Sequence, residues 1–341
     1  MFKRIIAGLA CLTMIITAAG CGAKDVYSSE PETSGDTVVA TGVNPLTGVK
    51  DLEVGKENDR PVAIMVNNVS VAQKVQTGVG SADIVYETEV EGGITRLMAV
   101  YQDISKLDKI GTVRSARYPY VDLAMGHNAV YIHCGQDPTY CAPHLNDVDD
   151  ISIDTNSKGA KRIANGLASE HTLYALGADL WSNINGRFDT KAKSNKSWVT
   201  FAAENEKLTL SGGSAASVSV PFPASTTKFT YSEGSGLYTR LSKSGEVLTD
   251  YYTSEATEVK NVFILLTTIS NYPDGKHRKV ELTSGDGYYI TNGTYTFIKW
   301  SKGNDSDSLK FTDTEGNDLK VSAGSSWVCI ADKHTCQPTI Q

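Results

Sequence analysis

The sequence predicts an α+β protein in which an N-terminal mixed α/β domain is followed by a β-rich C-terminal domain. Up to residue 205, apolar strand-like segments alternate with segments of helical periodicity, which is typical of layered α/β structure. Beyond a Ser/Gly/Pro-rich stretch at 211–225, short runs rich in Tyr, Thr, Val and Ile recur between turn sequences such as "PDG" and "GDG". That second pattern is typical of successive β-strands.

The N-terminal end predicts export and a lipid anchor. The charged start "MFKR" precedes a short apolar run that ends in "TAAGC", which is typical of a signal peptide followed by a lipid-accepting cysteine. We expect a lipoprotein signal peptide at 1–20 and lipidation of Cys21; the alternative is a secreted protein with a chance cysteine. Residues 21–42, rich in Ser, Thr, Glu and Gly, predict a flexible tether. The two domains, 43–205 and 206–341, would follow it.

The charge balance argues against nonspecific nucleic-acid binding. The chain carries 32 Lys and Arg residues against 39 Asp and Glu residues, a net charge of −7. Loss of the signal peptide would lower this charge to −9, because Lys3 and Arg4 leave and no acid leaves with them. An acidic surface repels the phosphate backbone, so we expect no nucleic-acid partner.

The individual elements follow from periodicity and turn signals. The N-terminal domain is predicted to contain strands at 61–68, 82–90, 94–103 and 128–135 and helices at 118–127, 157–167 and 171–184. The second and third strands would form a hairpin across "EGG", and Pro119 would lie in the first turn of its helix. The C-terminal domain is predicted to contain strands at "TKFTYSE", "GLYTRLS", "NVFILLTTI", "KVELT", "GYYIT", "TYTFIKW" and "SWVCIA".

Several longer motifs carry a family resemblance. "NPLTG", "RPVAIMVNN", "SADIVYETEVEGGITRLMAVYQ", "GTVRSARYPYVDLA" and "GSSWVCIAD" resemble the YerB-like lipoproteins, a family of bacterial envelope proteins, most closely over residues 44–190. The chain departs from the family at Glu170 and Thr172, where relatives tend toward "PHN-Y". The resemblance implies a lipid-anchored, two-domain extracytoplasmic protein and implies no particular reaction.

Four cysteines beyond the N-terminal segment form two brackets of equal length, "CGQDPTYC" and "CIADKHTC". Export to an oxidising compartment favours two local disulfides, Cys134–Cys141 and Cys329–Cys336. Free thiols are one alternative. A zinc site is another, because histidines flank the first bracket in "HCGQDPTYCAPH", but the cysteine spacing is wide for zinc and we expect no metal.

Two acids, Glu87 and Glu91, and one histidine, His133, are the candidate catalytic residues. Glu87, Glu89 and Glu91 alternate along one predicted strand and would therefore share a face. Arg96, just past the "EGG" turn, would reach back to Glu87 or Glu89. This arrangement is either a solvated strand face with a cross-strand ion pair or a carboxylate–arginine site. In the second case Glu87 or Glu91 would work with His133, which ends a predicted strand.

The heptapeptide "VRSARYP" places two arginines immediately before the helix predicted at 118–127. The guanidinium groups of Arg114 and Arg117 and the hydroxyl of Ser115 would add donors to the unpaired N–H groups of the helix N-terminus. With Arg96 nearby, these elements predict an anion-binding pocket.

An alternative for the same arginines is internal pairing with Glu87, Glu91 or Asp122, which would give them a structural role. The resemblance adds one more ligand-binding candidate. His171 lies at the family's "H-x-x-Y" position, followed by Tyr174.

A binding function is the best supported by the sequence. No dinucleotide fingerprint, Walker lysine, HExxH or SxxK signature is present, so no cofactor is expected. We expect a lipid-anchored extracytoplasmic protein that binds an anionic or carboxylate-bearing cell-envelope ligand, such as peptidoglycan or another envelope polymer. Two alternatives stay open: a scaffold that docks another envelope protein, and a peptidoglycan-acting hydrolase or transferase.

Overall fold

The structure, a computed structural model, describes residues 41–192 and 197–341. The predicted signal peptide, Cys21 and all but the last two residues of the predicted tether lie outside the described residues. Within the two described ranges, none of the helices combines the length and the apolar character needed to cross a membrane.

Short strands make up most of the regular secondary structure in the described chain. Those before residue 205 are Thr41–Gly42 (β1), Leu52–Glu53 (β2), Val62–Asn67 (β3), Ile84–Glu89 (β4), Thr95–Tyr101 (β5), Ile110–Gly111 (β6), Val130–His133 (β7), Asp150–Ser152 (β8), Ala160–Arg162 (β9), Leu173–Ala175 (β10) and Thr200–Phe201 (β11). Those after it are Ser217–Pro221 (β12), Thr226–Ser232 (β13), Leu237–Leu241 (β14), Glu258–Val259 (β15), Asn261–Thr267 (β16), Ile269–Asn271 (β17), Arg278–Val280 (β18), Ser284–Thr291 (β19), Thr294–Ser301 (β20), Lys310–Thr312 (β21), Lys320–Val321 (β22), Ser326–Asp332 (β23) and Thr339–Ile340 (β24).

Helices are few. The α-helices of the described chain are Ser70–Gln73 (α1), Tyr118–Gly126 (α2) and Gly177–Asn185 (α3), and short 3₁₀ helices lie at Lys56–Asn58, Val79–Ser81, Glu91–Gly93, Ala142–Asp147 and Ser169–His171. The protein is therefore mostly β, and the N-terminal part has fewer helices than the predicted mixed α/β domain would have.

One ten-stranded sheet, in the order β21-β20-β19-β16-β23-β4-β5-β3-β7-β8, organises the fold. Seven of its strands run in one direction, and six of these form two sets of parallel neighbours. β16, β23 and β4 pair in parallel, as do β3, β7 and β8. β5 pairs antiparallel with both β4 and β3 and so joins the two sets. The carboxyl ends of the six strands consequently lie at one edge of the sheet. The sheet takes strands from both sides of residue 205, and the domain boundary there stays a prediction.

Both faces of the ten-stranded sheet are covered. A sheet of five strands, β15-β14-β13-β12-β24, packs on one face, where Val220, Phe229 and Tyr238 join the same apolar core as Ile264 and Trp327. The small sheet β6-β10-β9 and α3 cover the rest of that face, and α2 covers the opposite face. All residues of β3, β4 and β5 are buried, and burial on both sides explains the uninterrupted apolar run of β3 from Val62 to Val66.

The hairpin predicted across "EGG" is confirmed. β4 and β5 pair antiparallel with Glu89 opposite Thr95. The turn between them places Gly92 and Gly93 at φ of 71° and 70°, a backbone conformation that residues with a side chain rarely adopt. The helix predicted at 118–127 is also confirmed as α2.

Two predicted helices are wrong in whole or in part. The segment 157–167 contains β9, because Gly159 and Gly166 take φ of 86° and 82° and interrupt a right-handed helix. The helix predicted at 171–184 begins only at Gly177, because β10 pairs with β6 and β9. Each strand that was predicted from the sequence overlaps an observed strand.

A buried polar cluster lies between the two larger sheets. The carboxylate of Glu87, on β4, is fully buried. It accepts hydrogen bonds from Asn68 Nδ2 at 2.8 Å, Thr95 Oγ1 at 2.7 Å, Thr227 Oγ1 at 2.8 Å and Trp327 Nε1 at 3.0 Å. Because these donors come from β5, β13, β23 and the end of β3, one carboxylate holds both sheets together.

Arg240 supplies the opposite charge in this cluster. Its Nη2 donates to Asn68 Oδ1 at 2.7 Å and its Nη1 to Gln76 Oε1 at 3.2 Å, and its guanidinium lies 4.4 Å from the ring centre of Trp327. Burial lowers the pKa of Arg240, and the charge of Glu87 opposes that shift. Asn68 thus bridges the two charged groups in a buried site. Loss of either charge would leave the other buried without compensation.

The two predicted disulfides are absent, and all four cysteines are free thiols. Cys134 packs against the core on one face of the large sheet, whereas Cys141 belongs to the core on the other face. Cys329 and Cys336 share one core, but burial, Glu87 and Cys336 together raise the pKa of Cys329 well above its ordinary value. This disfavours the thiolate that disulfide formation requires.

These environments predict a graded thiol reactivity. Burial raises the pKa of Cys141 and of Cys336 to about 12, so an alkylating reagent at neutral pH should modify the half-buried Cys134 and leave the other three unmodified until the protein is unfolded. Mass spectrometry of peptides from native and urea-unfolded samples measures this. Thiols that react only after a reductant is added would show that the disulfides form after all.

The polar cluster predicts a large loss of stability when Glu87 is removed. In Glu87→Ala the four donors lose their acceptor and Arg240 loses its counter-charge, so we expect the free energy of unfolding to fall by about 3–5 kcal/mol. Urea denaturation followed by circular dichroism measures the change. Glu53→Ala is the matched control, since that side chain is 58% exposed, and it should change stability by less than about 0.5 kcal/mol. Equal behaviour of the two variants would contradict the central role of Glu87.

Candidate functional site

The carboxyl edge of the six parallel strands gathers polar side chains. β3 ends at Asn67, β4 at Glu89, β7 at His133 and β23 at Asp332. In open sheets this edge is where ligands usually bind, because loops and unpaired backbone groups converge there. The arginines singled out in the sequence lie at the same edge.

The segment 113–117 crosses the ends of β3 and β7 and is fixed by backbone hydrogen bonds. Arg114 N donates to Met65 O at 3.1 Å, Cys134 N to Arg114 O at 3.0 Å and Ala116 N to Gly135 O at 2.9 Å. Arg117, the last residue of the segment, precedes the first turn of α2, in which Pro119 lies. Backbone hydrogen bonds therefore hold the segment that carries Arg114, Ser115 and Arg117 against the ends of β3 and β7.

Arg96 reaches this edge from the reversed strand β5. It lies opposite Thr88 and Asn67, so its side chain is on the α2 side of the sheet, away from Glu87 and Glu89. The sequence-based pairing of Arg96 with those acids is therefore wrong. Arg96 Nη1 instead donates to Ser115 O at 2.8 Å, and the residue is only 5% exposed.

Three guanidinium groups are close enough to influence one another. Burial and the charges of Arg117 and Arg114 together lower the pKa of Arg96 to about 10, although the carboxylate of Glu91 opposes this shift. Arg96 therefore keeps its charge at neutral pH in a site where like charges repel. Such repulsion is relieved by a bound anion.

Arg117 is locked by Glu91. Its Nε and Nη2 donate to the two carboxylate oxygens at 2.7 and 2.8 Å, and its Nη1 donates to Ala116 O at 2.8 Å. Burial would raise the pKa of Glu91, but the hydrogen bonds and charge of Arg117, together with the charge of Arg96, hold it below its ordinary value. This bidentate pair is one of the internal pairings predicted from the sequence.

Arg114 is the least satisfied of the three arginines. Its Nη1 makes a long contact of 3.4 Å with Glu170 O and lies 3.8 Å from Glu170 Oε2. Its Nε is buried with no hydrogen-bond partner among the described residues. The side chain is 26% exposed, so its remaining donors can reach a ligand.

His171 lies beside Arg114 but is held by its own partners. Its Nδ1 accepts a hydrogen bond from Asn67 Nδ2 at 2.8 Å, because the amide nitrogen can only donate. Its Nε2 faces Glu170 Oε1 at 3.1 Å. The residue is 7% exposed, so it positions Glu170 and Asn67 around the arginines.

His133 has both ring nitrogens occupied. Nδ1 lies 2.8 Å from Gly135 O, and Nε2 lies 2.9 Å from Asp150 Oδ2. The ring is almost fully buried. His144 is occupied elsewhere, with its ring 4.4 Å from that of Tyr118. In the part of the chain that the structure describes, no group of three or more His, Cys, Asp or Glu residues is placed to hold a metal ion.

The three acids of the "YETEVE" stretch have three different environments. Glu87 is enclosed in the cluster between the sheets, and Glu91 is paired with Arg117. Glu89 is 1% exposed and accepts a hydrogen bond from Arg278 Nη2 at 2.7 Å. Burial raises the pKa of Glu89, Arg278 lowers it, and Asp332 raises it again, for a net increase. These acids therefore do not form one shared carboxylate site.

Sequence reasoning missed a second wall of the edge, formed by residues far apart in the chain. The rings of Tyr140 and Tyr272 stack at 3.8 Å with an interplanar angle of 14°, and His277 bridges Asp137 at 3.1 Å and Asp274 at 2.5 Å. Together with Arg278, this wall borders the cleft that holds Glu91 and Arg117. Tyr272 and His277 lie between β17 and β18. Turn and strand signals in the sequence indicate this region but do not show which distant residues lie beside it in space.

The comparisons with known proteins all point to one family. Residues 46–191 match the N-terminal domain, and residues 218–328 the C-terminal domain, of a family described as "Protein of unknown function (DUF3048)". The chain is 28% identical over 273 residues to YerB of Bacillus subtilis (strain 168), a protein whose name describes it as a lipoprotein; the match covers 76% of this chain and 78% of that protein.

The fold agrees with this match. The crystal structure of the YerB protein from Bacillus subtilis is similar with a TM-score of 0.72 and 25% identity, over 86% of this chain and 98% of that one. The family resemblance seen in the sequence is thereby confirmed. The chain belongs to the YerB-like (DUF3048) family.

Proposed function

We propose that this protein is a lipid-anchored extracytoplasmic binding protein, and that Arg114, with Arg96 and Arg117 beside it, receives an anionic or carboxylate group of a cell-envelope ligand. The observation that carries the proposal is the grouping of three guanidinium groups at the carboxyl edge, where the acids that pair with them among the described residues are Glu91 and Glu170. In a chain of net charge −7, a local excess of positive charge is a specific feature that an anion would complete.

The state of Arg114 supports the same proposal. Its Nε has no partner, and its contacts to Glu170 are long. A planar guanidinium with unused donors matches a carboxylate or phosphate in two-point geometry. Ser115 and the first turn of α2 lie next to it, so a bound anion would also approach the N-terminal end of a helix.

The lipid anchor rests on the sequence and on the relative. The charged start, short apolar run and "TAAGC" junction predict lipidation of Cys21, and the related YerB is named as a lipoprotein. A protein anchored through a tether would meet ligands close to the extracytoplasmic surface of the cell membrane, where cell-wall polymers carry carboxylates and phosphates.

The placement of the candidate catalytic residues supports binding over hydrolysis. Glu87 has no exposure and four donors, both nitrogens of His133 are occupied, and Glu91 is held by Arg117. A general acid or base must reach the proton that it transfers. Glu87 and His133 are too buried to meet a substrate. The side chain of Glu91 is 28% exposed, but both of its oxygens accept hydrogen bonds from Arg117.

Replacing Arg114 should weaken ligand binding without unfolding the protein. For Arg114→Ala we expect a loss of about 1.5–3 kcal/mol, the value of a charged hydrogen bond, and for Arg114→Lys a smaller loss. Binding is measured by co-sedimentation of the detergent-solubilised full chain with purified cell-wall sacculi, with and without their anionic polymers, at low and high salt. Raised salt should weaken binding by the wild type more than binding by Arg114→Ala.

Arg187→Ala is the matched control, since Arg187 is exposed and far along the chain from the edge segments; it should bind as the wild type does. If Arg114→Ala unfolds the protein, Arg114→Lys and the salt dependence of the wild type still test the proposal. Unchanged binding by a folded Arg114→Ala variant would refute it.

The lock between Glu91 and Arg117 predicts an acid-sensitive stability. Because the folded-state pKa of Glu91 is lowered, its contribution is present above its ordinary pKa and is lost as the pH falls through the lower folded value. The stability difference between the wild type and Glu91→Gln should therefore shrink in this acid range. Urea denaturation at a series of pH values measures it, with Glu53→Gln as control. A difference that stays constant down to the lowest pH would contradict the lock.

A further inference from the structure

Near the outer end of the ten-stranded sheet, three aromatic side chains share one face; one is exposed, and two are half-buried at the margin of the core. We call Tyr288, Tyr295 and Phe297, on β19 and β20, the aromatic patch. In the same hairpin Ile298 and Trp300 point into the core, whereas Phe297 is 49% exposed. Solvent-facing positions of an antiparallel hairpin ordinarily carry polar side chains. The exposed ring of Phe297, extended by the half-buried rings of Tyr288 and Tyr295, therefore indicates an interaction surface.

The aromatic patch is rigid. Tyr288 lies directly opposite Phe297 in the strand pairing, and their ring centres are 5.0 Å apart; Tyr295 lies 5.9 Å from Phe297 and 6.2 Å from Tyr288. The chain at Gly212 lies against Tyr295, where an added Cβ would be 2.9 Å from ring carbon Cδ2. Rings held by one another and by backbone lose little freedom when a ligand binds.

A polar groove continues from the aromatic patch on the same sheet face. Its volume is about 360 Å³, and the outward side chains along it are Ser284, Asp286, Lys299, Ser301, Lys310 and Thr312. Asp286 lies directly opposite Lys299, and Lys310 opposite Ser301. The groove therefore offers hydrogen-bond acceptors and donors side by side.

We propose that this face binds a glycan: pyranose rings stack their C–H faces on the aromatic patch, and their hydroxyls bond to Asp286 and Lys299. A sugar hydroxyl both donates and accepts, so it fits a carboxylate beside an ammonium group. An anionic membrane would require a positive excess without an acid, and an apolar helix would require the groove itself to be apolar. The proposal stands on residues separate from the arginine site.

Single substitutions at Phe297 separate ring stacking from general apolar contact. The probe is a soluble oligomer of N-acetylglucosamine, titrated calorimetrically into the detergent-solubilised full chain. We expect Phe297→Ala to lower the affinity about tenfold or more, which corresponds to about 1.4 kcal/mol, because the sugar ring loses its stacking surface. Phe297→Tyr should bind as the wild type does, and Phe297→Leu, which keeps apolar area but no ring, should bind nearly as weakly as Phe297→Ala. Asp286→Asn should also weaken binding, and Arg114→Ala should leave it unchanged.

Thermal melting checks that each variant is folded. We expect the Phe297 variants to fold, because the side chain of Phe297 is exposed. No binding by the wild type, or wild-type affinity in Phe297→Leu, would overturn the proposal. In the chain with Cys21→Ser, binding of anionic phospholipid vesicles that Phe297→Ala abolishes, without any sugar binding, would overturn it in favour of a membrane contact. Loss of sugar binding in Arg114→Ala would place the glycan at the arginine site and would overturn it as well.

Discussion

The carboxylate of Glu87 is the interaction on which the arrangement of the two large sheets depends. Its donors Asn68, Thr95, Thr227 and Trp327 span most of the described chain, and Trp327 lies 240 residues away in sequence. Apolar contacts tolerate sliding of one sheet on another, whereas a buried carboxylate with four donors does not, because each lost bond leaves a desolvated polar atom. The cluster therefore fixes the register in which the sheets meet.

The site at the carboxyl edge follows from the same strand order. β23 inserts between β16 and β4 and pairs in parallel with both, which brings three carboxyl ends together. The reversed β5 then brings Arg96 to this edge from the opposite direction. Because successive residues of a strand alternate between faces, Glu87 faces the second sheet while Arg96 faces α2. One hairpin thus contributes to the core on one face and to the candidate site on the other.

Local patterns in the sequence were enough for most of the longer strands, the "EGG" hairpin and α2, because these depend on nearby residues. They failed at 157–167, where two glycines with positive φ interrupt an apparent helix. Local patterns also failed for side chains whose contacts come from residues that are distant in the sequence. The grouping of Arg96, Arg114 and Arg117 was predicted from two motifs, but neither Arg240 nor the Tyr140–Tyr272 wall could be, since their neighbours come from the other end of the chain. The predicted disulfide Cys134–Cys141 failed for the same reason, because sequence spacing does not reveal opposite faces of a sheet.

The three arginines of the edge have different physical tasks. Arg117 is neutralised and oriented by Glu91, and Arg96 is enclosed and bonded to Ser115 O. Neither can move toward a ligand without breaking these bonds, yet Arg96 stays charged at neutral pH, since its pKa is about 10. A fixed positive charge in a poorly solvated place raises the local potential at little cost in side-chain entropy. Arg114, whose side chain is 26% exposed and whose Nε has no hydrogen-bond partner among the described residues, is then the arginine that we propose for contact with an anion, and the charges of its two neighbours would help to attract that anion.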